Sequence, residues 1–309
     1  MKINRLLIHL HNDVDAFSLK PRHLTQIRTA LPDMDITVAT GNSDFLDRLP
    51  QADTVLAWRF KAEWYEQAPL LKLLFTPAAG RDWVAQDPSD RVRTFYGSFH
   101  GKIMSESLLA MILYFNRRLH NSLEDQSRHI WGRPGYSGCV GLFSQKVLIV
   151  GYGALGESMA MLLKAFGAKI IGVRRNPELS AGNPCLERVI SFEQLEEELP
   201  FADHLILLLP GGTATDGLFT AKHFAAMKPG AYLYNLGRGN CYREEDLLLA
   251  LASGPLAGAA LDVFAREPLS PDSPLWGMRN VLITPHSSAI SREYLDLFME
   301  EWLGIVLKL

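Results

Sequence analysis

A buried-strand pattern that runs directly into three spaced glycines constrains this chain more than any other feature. Residues 147–150 are continuously apolar, and residues 151–156 have the spacing Gly-x-Gly-x-x-Gly. A helical pattern follows over 157–166, and a second apolar strand follows at 169–173. A strand, a glycine loop, a helix and a strand in this order are typical of a βαβ unit in a parallel sheet.

Each position of the glycine loop has a physical role in binding a dinucleotide. Gly151 allows the tight turn that leaves the strand, and Gly153 lets a pyrophosphate approach the backbone. Gly156 lets the helix pack closely on the strand, while the helix begins with free N–H groups that attract an anion. We therefore predict a dinucleotide site on this loop, with Ala154 and Leu155 completing it. The alternative is a glycine-rich turn in another kind of α/β domain.

Length and composition exclude several classes of protein. A chain of 309 residues is long enough for two domains, and its net charge of −3 argues against nucleic-acid binding. No apolar run reaches the length of a membrane span, and the apolar stretch near the N-terminus is too short for a signal peptide. Cys139, Cys185 and Cys241 are far apart and lack metal-ligand spacing. They predict reduced thiols in a cytoplasmic protein without a metal site.

Two series of strands and helices follow one another along the chain. In the first hundred residues the strand patterns are Arg5–His9, Asp35–Ala39, Thr54–Trp58 and Leu71–Phe75, with a helix at Leu24–Leu31. Residues 101–120 have a helical pattern, and 131–138 form a loop. The strands predicted in the second series are Val147–Val150, Lys169–Val173, His204–Leu209, Ala231–Leu236, Gly258–Leu261 and Val281–Thr284. The helices predicted between them include Phe192–Glu198, Ala221–Met227 and Glu244–Ala252.

This alternation predicts an α/β protein with two domains. Residues 101–289 form a Rossmann-type domain, a doubly wound parallel sheet that binds NAD(P). Residues 1–100 form a smaller, flavodoxin-like α/β substrate domain, with a cleft between the two. The helical pattern at 291–309 is expected to cross back, so that 290–309 belong to the substrate domain.

Polar residues lie just after three of the later strands. The segments are 235–240, which contains Arg238, 261–269, which contains Asp262 and Glu267, and 284–288, which contains His286. Ligands of open parallel sheets bind outside the carboxyl ends of the strands. We therefore expect the reactive groups in these three segments.

These segments, with the glycine motif and Ser273-Pro-Leu-Trp276, resemble the D-isomer-specific 2-hydroxyacid dehydrogenase family. Within the family the chain is most similar to the shorter glyoxylate/hydroxypyruvate reductases of the bacterial A type. The resemblance is dense from about 101 to 290. Before that it consists of the overall layout and of Ala79-Gly80-Arg-Asp82, which is similar to the family's substrate loop.

The chemistry of a 2-keto acid reduction agrees with the roles that the resemblance implies. The carbonyl carbon receives a hydride and the oxygen receives a proton, and a histidine suits proton donation because its unperturbed pKa is about 6.5. His286 is the predicted acid/base, with Glu267 as its partner. Arg238 is expected to bind the substrate carboxylate and to polarise the keto oxygen. The alternatives are a buried Arg–Glu pair and a histidine that caps a strand end.

The resemblance also implies contacts on the substrate side. Backbone N–H groups of Ala79 and Gly80 are expected to bind the substrate carboxylate in a cleft that closes and excludes water. Trp58 and Arg59 end a strand of the small domain and are predicted to face the substrate. The alternative places Trp58 in the core and Arg59 on the surface.

Further residues are implied at the cofactor. Pro210 and Thr215 lie on a loop similar to one that borders the cofactor in the family, where Gly212 replaces a frequent threonine. Leu236 lies two residues before Arg238, and Asp262 resembles the residue near the nicotinamide carboxamide. The alternative for Asp262 is a turn-forming aspartate at a strand end.

The end of the second strand of the βαβ unit bears on cofactor choice. NAD-specific sites usually place a carboxylate there to bind the ribose 2′-hydroxyl, but Arg174 and Arg175 occupy this position. Two guanidinium groups suit a 2′-phosphate. NADP(H) is therefore predicted in preference to NAD(H). Alternatively, one arginine stacks on adenine and the other faces solvent.

These observations predict an NADPH-dependent reductase that converts a small 2-keto acid, of the glyoxylate or hydroxypyruvate type, to the D-2-hydroxy acid. Its partners are expected to be that small molecule and a second copy of the chain in a homodimer, without nucleic acid or membrane. One alternative is an NAD(P)-sensing, corepressor-like binding protein, and another is a dehydrogenase for a larger keto acid. Formate dehydrogenase is disfavoured because Glu267 stands where that family has glutamine. Phosphoglycerate dehydrogenases with regulatory tails are disfavoured because the sequence ends at Leu309.

Overall fold

The structure, a computed structural model, describes residues 4–309. The chain divides into two compact units. Unit 1 contains residues up to His100 together with Ile290–Leu309, and unit 2 contains Gly101–Ala289.

Strands and helices are numbered in chain order. The strands are β1 (Arg5–His9), β2 (Asp35–Val38), β3 (Thr54–Ala57), β4 (Leu73–Thr76), β5 (Arg93–Tyr96), β6 (Lys146–Val150), β7 (Lys169–Val173), β8 (Arg188–Ile190), β9 (His204–Leu207), β10 (Ala231–Asn235), β11 (Leu256–Leu261) and β12 (Val281–Ile283). The α-helices are α1 (Pro21–Ala30), α2 (Asn42–Arg48), α3 (Gly101–Asn116), α4 (Leu119–Ser127), α5 (Ala154–Ala165), α6 (Leu195–Glu198), α7 (Ala221–Ala225), α8 (Glu244–Ala252) and α9 (Tyr294–Val306).

Unit 1 is built on a five-stranded parallel sheet in the order β2-β1-β3-β4-β5. Strands β3 and β4 are buried along their whole length, as expected for a sheet covered on both faces. Helix α9 packs on α1, where Arg22 donates two hydrogen bonds of 2.9 Å to Asp296 and His23 contacts the same carboxylate. The C-terminal helix is therefore part of unit 1.

Unit 2 contains a seven-stranded parallel sheet in the order β12-β11-β10-β9-β6-β7-β8. Apolar side chains cover both faces of this sheet in two separate clusters. The chain runs from β6 outward in one direction and then from β9 outward in the other, so the order reverses between β6 and β9. Such a switch point leaves a crevice at the carboxyl ends of the strands, which is where ligands bind in this architecture.

The predicted α/β class with parallel sheets is confirmed, and most strand limits lie within two residues of the prediction. The sequence patterns missed β5, a half-exposed edge strand, β8, which has three residues, and the short polar helix α2. The continuous helix predicted over 101–120 was wrong at its end. It stops at Asn116 because Arg118 adopts a left-handed backbone with φ of 51°, and α4 starts after it.

A search of residues 4–309 for helices of sufficient length and apolarity to cross a lipid bilayer finds none.

Candidate active site

The glycine loop joins the end of β6 to the start of α5. Gly151 has φ of 90°, and a Cβ there would lie 2.8 Å from the backbone carbonyl of Leu208, so only glycine fits. A Cβ on Gly153 would meet nothing within 4 Å, which leaves open space above the backbone where α5 begins. Exposed Ala154 and half-buried Leu155 form the first turn of this helix. The loop therefore has the accessible backbone and the helix N-terminus that a pyrophosphate requires.

Gly156 brings the helix onto the sheet. A Cβ on this residue would approach Ile149 Cγ2 to 3.2 Å and the ring of Tyr152 to 3.1 Å. These contacts are tighter than ordinary van der Waals packing. The third glycine thus sets the close approach of α5 to β6, as the sequence predicts.

Two arginines follow the end of β7, but their surroundings differ. The guanidinium of Arg174 is half-buried and donates a short hydrogen bond to the hydroxyl of Ser180. Arg175 is exposed. Of the two, Arg175 has the side chain available to a ligand phosphate, while Arg174 is tied to the turn that follows the strand.

The loop after β9 is held by its own threonine. Thr215 is buried, and its hydroxyl shares its single proton between the carbonyl oxygens of Pro210 at 2.7 Å and Gly212 at 2.9 Å. Pro210 itself is exposed beyond the carboxyl end of β9. Gly212 has φ of 127°, a conformation that other residues rarely adopt, which is a physical reason for glycine where the family often has threonine.

The segment after β10 presents Arg238. Asn235 is fully buried and donates hydrogen bonds to the Arg238 carbonyl oxygen at 3.1 Å and to the Tyr242 hydroxyl at 3.1 Å. Its Oδ1 accepts a hydrogen bond from Gly237 N at 3.1 Å. Leu236, which the sequence assigned to the cofactor, is buried. Asn235 thus fixes the backbone on both sides of Leu236, while half-buried Arg238 donates through Nη1 to the Gly237 carbonyl oxygen at 2.8 Å.

The next segment is organised around Asp262, which follows β11 and is fully buried. Its carboxylate accepts hydrogen bonds from Thr284 Oγ1 at 2.6 Å and from the backbone of Ser287 at 2.8 Å and Ser288 at 3.1 Å. The backbone N–H of His286 donates to the Asp262 carbonyl oxygen at 2.8 Å. Asp262 therefore holds the turn that carries the histidine. This is the geometry of the turn-forming alternative, while contact with a nicotinamide stays a prediction.

His286 and Glu267 lie together. The imidazole Nδ1 is 2.8 Å from Glu267 Oε2, and the other carboxylate oxygen accepts the backbone N–H of Phe264 at 3.0 Å. His286 has φ of 51°, so the turn holds it in a left-handed conformation. The side chains are 42% and 36% exposed, which leaves this pair accessible to a small molecule.

The electrostatics of the pair favour a charged imidazole. The hydrogen bond to Glu267 raises the pKa of His286, against the opposing effects of burial and of the positive charge of Arg238. Burial acts to raise the pKa of Glu267, but the hydrogen bonds from His286 and Phe264 and the charge of Arg238 outweigh it and lower that pKa. Arg238 therefore lies close enough to influence both groups.

Three catalytic candidates of unit 2 thus follow neighbouring strands. Arg238 follows β10, Glu267 lies beyond β11 and His286 follows β12. A protonated imidazole, held by a carboxylate and placed near a guanidinium, can donate a proton to an oxygen of a bound anion. The arrangement therefore has the groups that anion binding and acid catalysis would need.

The substrate-side candidates lie in unit 1, at the carboxyl ends of β3 and β4. Exposed Ala79 and half-buried Gly80 follow β4, and Thr76 Oγ1 donates to the Trp58 carbonyl oxygen at 3.2 Å, which links the two strand ends. Trp58 is only 8% exposed and donates through Nε1 to the Phe17 carbonyl oxygen. This is the core-packing alternative for Trp58.

Arg59 lies over a tryptophan ring. Its guanidinium carbon is 4.6 Å from the centre of the Trp83 ring, and the residue is exposed. The cation–π contact fixes the side chain at the surface of unit 1. The alternative reading of Arg59 as a surface residue agrees with this position.

Sequence reasoning assigned no role to several residues that build the site. Asn235 was quoted only as the first residue of its segment, and Thr284, Ser287 and Ser288 were passed over. A polar residue at the last position of an apolar strand was the available signal for Asn235. Hydrogen bonds to Asp262 depend on the folded turn, so no local pattern in the sequence indicates the other three.

Comparison with known proteins places this geometry in a family. Residues 109–288 match the model of the D-isomer specific 2-hydroxyacid dehydrogenase, NAD binding domain. Glyoxylate/hydroxypyruvate reductase A of Serratia proteamaculans is 35% identical over 256 residues, which is 78% of this chain and 78% of that protein. D-3-phosphoglycerate dehydrogenase of Mycobacterium leprae is 32% identical over 81% of this chain, but the match covers 48% of that longer protein.

Solved structures agree. A D-isomer specific 2-hydroxyacid dehydrogenase family protein from Aeromonas salmonicida has a TM-score of 0.80 and 31% identity, with 99% of this chain and 96% of that chain covered. An NADPH-dependent glyoxylate/hydroxypyruvate reductase from Sinorhizobium meliloti has a TM-score of 0.78 and 28% identity, with 97% of this chain and 93% of that chain covered. The chain is therefore an oxidoreductase and belongs to the D-isomer-specific 2-hydroxyacid dehydrogenase family.

Proposed function

We propose that this protein reduces a small 2-keto acid of the glyoxylate or hydroxypyruvate type to the D-2-hydroxy acid, with NADPH as the reductant. The main support is the His286–Glu267 pair, whose atoms are 2.8 Å apart and whose hydrogen bond raises the pKa of the imidazole. A histidine that keeps its proton near neutral pH is the group that reduction of a carbonyl needs.

In the proposed mechanism Arg238 binds the substrate carboxylate through its planar guanidinium and draws electron density from the keto oxygen. The glycine loop would hold the reduced dinucleotide, whose nicotinamide would supply the hydride. His286 holds its Nδ1 proton on Glu267, so the proton that is transferred comes from Nε2. Glu267 stabilises the imidazolium before transfer and fixes the ring, while Asp262 holds the turn on which the ring sits.

The proposed preference for NADPH over NADH rests on the end of β7. Arg175 is exposed there, and Arg174 is held by Ser180. A guanidinium forms charge-assisted hydrogen bonds with a phosphate, which NADH lacks at the 2′ position. Two relatives support this choice: the Sinorhizobium meliloti reductase was crystallised with NADP and sulfate, and a 27% identical enzyme from Xanthobacter autotrophicus with NADPH and MES. The proposed cofactor contacts also include the glycine loop, Pro210, Thr215, Leu236 and Asp262.

On the substrate side we propose that the backbone N–H groups of Ala79 and Gly80 bind the substrate carboxylate. Ala79 is exposed, so its backbone is accessible to a ligand. We keep Arg59 as a proposed substrate contact because its guanidinium is exposed. Trp58 supports this loop from the core, so its proposed contribution to the substrate is indirect.

The direct test is a panel of keto acids, with glyoxylate, hydroxypyruvate, pyruvate and larger 2-keto acids, each measured with NADPH and with NADH. We expect the highest kcat/KM for glyoxylate or hydroxypyruvate with NADPH. A preference for NADH of tenfold or more would reject the proposed cofactor. If a larger keto acid is turned over best, the enzyme is a dehydrogenase for that acid, and if every acid is inert, a corepressor-like binding protein becomes the better account.

We also propose a homodimer in the cytoplasm. Apolar side chains on α4 and the loop after it are exposed, with Trp131 89% and Phe143 70% accessible, and such patches are typical of protein interfaces. Cys139, Cys185 and Cys241 are free thiols, as is usual in a reducing compartment. Light scattering coupled to size exclusion should give twice the chain mass of 34.5 kDa. A monomer at micromolar concentration would contradict the dimer.

A further inference from the structure

A second cavity lies in unit 2, at the amino ends of strands whose carboxyl ends carry the catalytic candidates. Its volume is about 460 Å³. The residues that line it are Phe115, Arg118, His120, Asn121, Tyr232, Ala257, Arg279 and Asn280. Tyr232 lies in β10, Ala257 in β11, and Asn280 directly precedes β12. The lining contains two guanidinium groups, and no carboxylate is found among these described residues.

Both guanidinium groups are held in place by the segment around α4. Arg118 Nη1 donates to the Gly135 carbonyl oxygen at 3.3 Å, and a Cβ on Gly138 would lie 2.2 Å from Arg118 Nη2, so the glycine gives room for the side chain. Arg279 forms an ion pair with Glu124 of α4. These supports reduce the side-chain entropy that would be lost when a ligand binds.

The other side of the cavity is aromatic. The rings of Phe115 and Tyr232 stack with centres 4.8 Å apart and an interplanar angle of 23°. His120 lies beside them, and its buried Nδ1 has no hydrogen-bond partner within residues 4–309. A buried polar atom without a partner is uncommon and costs free energy. The lining therefore includes a histidine with one nitrogen that the described residues leave unsatisfied.

The charges of both arginines reach this histidine. Burial lowers the pKa of His120, and the positive charges of Arg279 and Arg118 lower it further, while Glu124 acts in the opposite direction. A positive potential of this kind attracts anions. The guanidinium groups and the asparagine amides of the lining are the hydrogen-bond donors that a phosphate or carboxylate group needs.

We propose that this cavity binds a small molecule through an oxyanion, either a phosphate or a carboxylate, held between Arg118 and Arg279. The site is separate from the catalytic candidates. Tyr232 and Arg238 are six residues apart along β10 and its extension, which is on the order of 20 Å at the rise of a strand. The proposal concerns a second ligand and does not depend on which keto acid the enzyme reduces.

The experiment measures binding of inorganic phosphate and, in a second arm, of malonate, by equilibrium dialysis. The protein carries Arg238→Gln and is saturated with NADP⁺, so that the anion sites of the proposed active site are removed or filled. We expect saturable binding of at least one probe to one site per chain. The arm that saturates identifies whether phosphate or carboxylate is the group recognised.

In that background, Arg118→Gln and Arg279→Gln should each weaken the Kd about tenfold, because each removes charge-assisted hydrogen bonds. Arg118→Lys keeps the positive charge but lacks the planar set of guanidinium donors, so it should weaken binding less than Arg118→Gln. Arg128→Gln is the matched control, since Arg128 is exposed, also pairs with Glu124 and does not line the cavity. The Kd of this control should stay within twofold of the value for the Arg238→Gln background.

Two outcomes would overturn the proposal. One is the absence of saturable binding of either probe. The other is a Kd in the double variant Arg118→Gln/Arg279→Gln that equals that of the Arg128→Gln control. Circular dichroism and the thermal midpoint of each variant establish that the protein compared is folded.

Discussion

The two ends of the seven-stranded sheet hold histidines in opposite electrostatic states. At the amino end of β9, His204 is buried between the Tyr234 hydroxyl and Gln145 Oε1, each 3.0 Å away, and burial lowers its pKa to about 4. Beyond the carboxyl end of β12, the Glu267 carboxylate raises the pKa of His286. Neutral partners and burial make one imidazole a structural group. An ionised partner and partial exposure make the other a candidate for proton transfer.

The two ends of the sheet also differ in how their polar side chains are held. The amino end anchors the strands through side-chain hydrogen bonds, in which Asn116 donates to Gln145 at 2.7 Å. At the carboxyl end of the sheet, the strands are followed by turns that Asn235 and Asp262 hold through hydrogen bonds. Such turns leave side chains accessible while the backbone stays fixed, which is the condition for preorganised catalysis.

Removal of the proposed proton donor should reduce turnover more than any other change. His286→Asn should lower kcat with glyoxylate and NADPH about 10³-fold, because general acid catalysis contributes roughly 10²–10⁴ to rate. The Kd for NADPH, measured by fluorescence titration, should stay within threefold. His129→Asn is a matched control, since His129 is exposed and has a left-handed backbone with φ of 54°. Turnover near normal in His286→Asn would remove this residue from the mechanism.

The next effect concerns the carboxylate partner. Glu267→Gln removes the interaction that raises the pKa of His286, so the imidazole should lose its proton at lower pH. Because reduction needs the protonated form, kcat/KM falls as pH rises through this pKa, and the variant's falling limb should move to lower pH. At pH 7.5 we expect kcat/KM of the variant to be about 30-fold lower than that of the wild type, which is within the range for general acid catalysis.

Exposed Glu245 on α8 gives the control for that experiment, because Glu245→Gln removes a carboxylate far along the chain from the turn of His286. Its pH profile should match that of the wild type. An unchanged falling limb in Glu267→Gln would show that this carboxylate does not set the protonation of the acid.

A smaller effect is expected at the end of β7. Arg175→Ser should raise the KM for NADPH about tenfold, because one charge-assisted interaction with the 2′-phosphate is lost, and should leave the KM for NADH within twofold. Arg174→Ser is the comparison, since this guanidinium is bound to Ser180, and its effect should be smaller. An equal rise in the KM for NADPH and for NADH would mean that the arginines do not bind the 2′-phosphate.

The smallest effect is on stability, where the two histidines should act in opposite directions. The folded pKa of His204 lies below its ordinary value of 6.5, so its contribution is complete above pH 6.5 and is lost as pH falls toward about 4. The folded pKa of His286 is raised, so its contribution is present below pH 6.5 and is lost as pH rises through the folded pKa.

Chemical denaturation at pH 7.5 and pH 6 measures this difference. His204→Gln should lose less stability than the wild type on acidification, by on the order of 1 kcal/mol at pH 6. His286→Asn should lose more than the wild type, by a smaller amount, because its ion pair is partly exposed. If the two variants shift in the same direction, the assigned charge states are wrong.

Much of the fold followed from local sequence patterns. The predicted family and the α/β class with parallel sheets were confirmed, because the glycine spacing and the buried strands are encoded in adjacent residues. The edge strand β5 was missed because Arg93–Tyr96 is half-exposed and lacks a continuous apolar run. The break after α3 was missed because the left-handed backbone of Arg118 has no composition signal.

The candidate site was predicted less completely than the fold. The proximity of His286 and Glu267 was expected and is present, but their catalytic roles remain proposals. The engagement of Thr215 with its own loop could not be read from the sequence. Turn formation by Asp262 was an alternative in the sequence analysis, but the hydrogen bonds that join it to the turn of His286 were not predicted. These hydrogen bonds join backbone groups that become neighbours only after the strands have aligned.

The backbone at position 286 limits which side chains that position can accept. With φ of 51°, residues other than glycine are strained, and histidine, asparagine and aspartate are those that tolerate the conformation best. Of these, only imidazole exchanges a proton close to physiological pH. The shape of a single turn therefore restricts the evolutionary choice at this position, and random mutagenesis selected for folding alone should still return a narrow set of amino acids there.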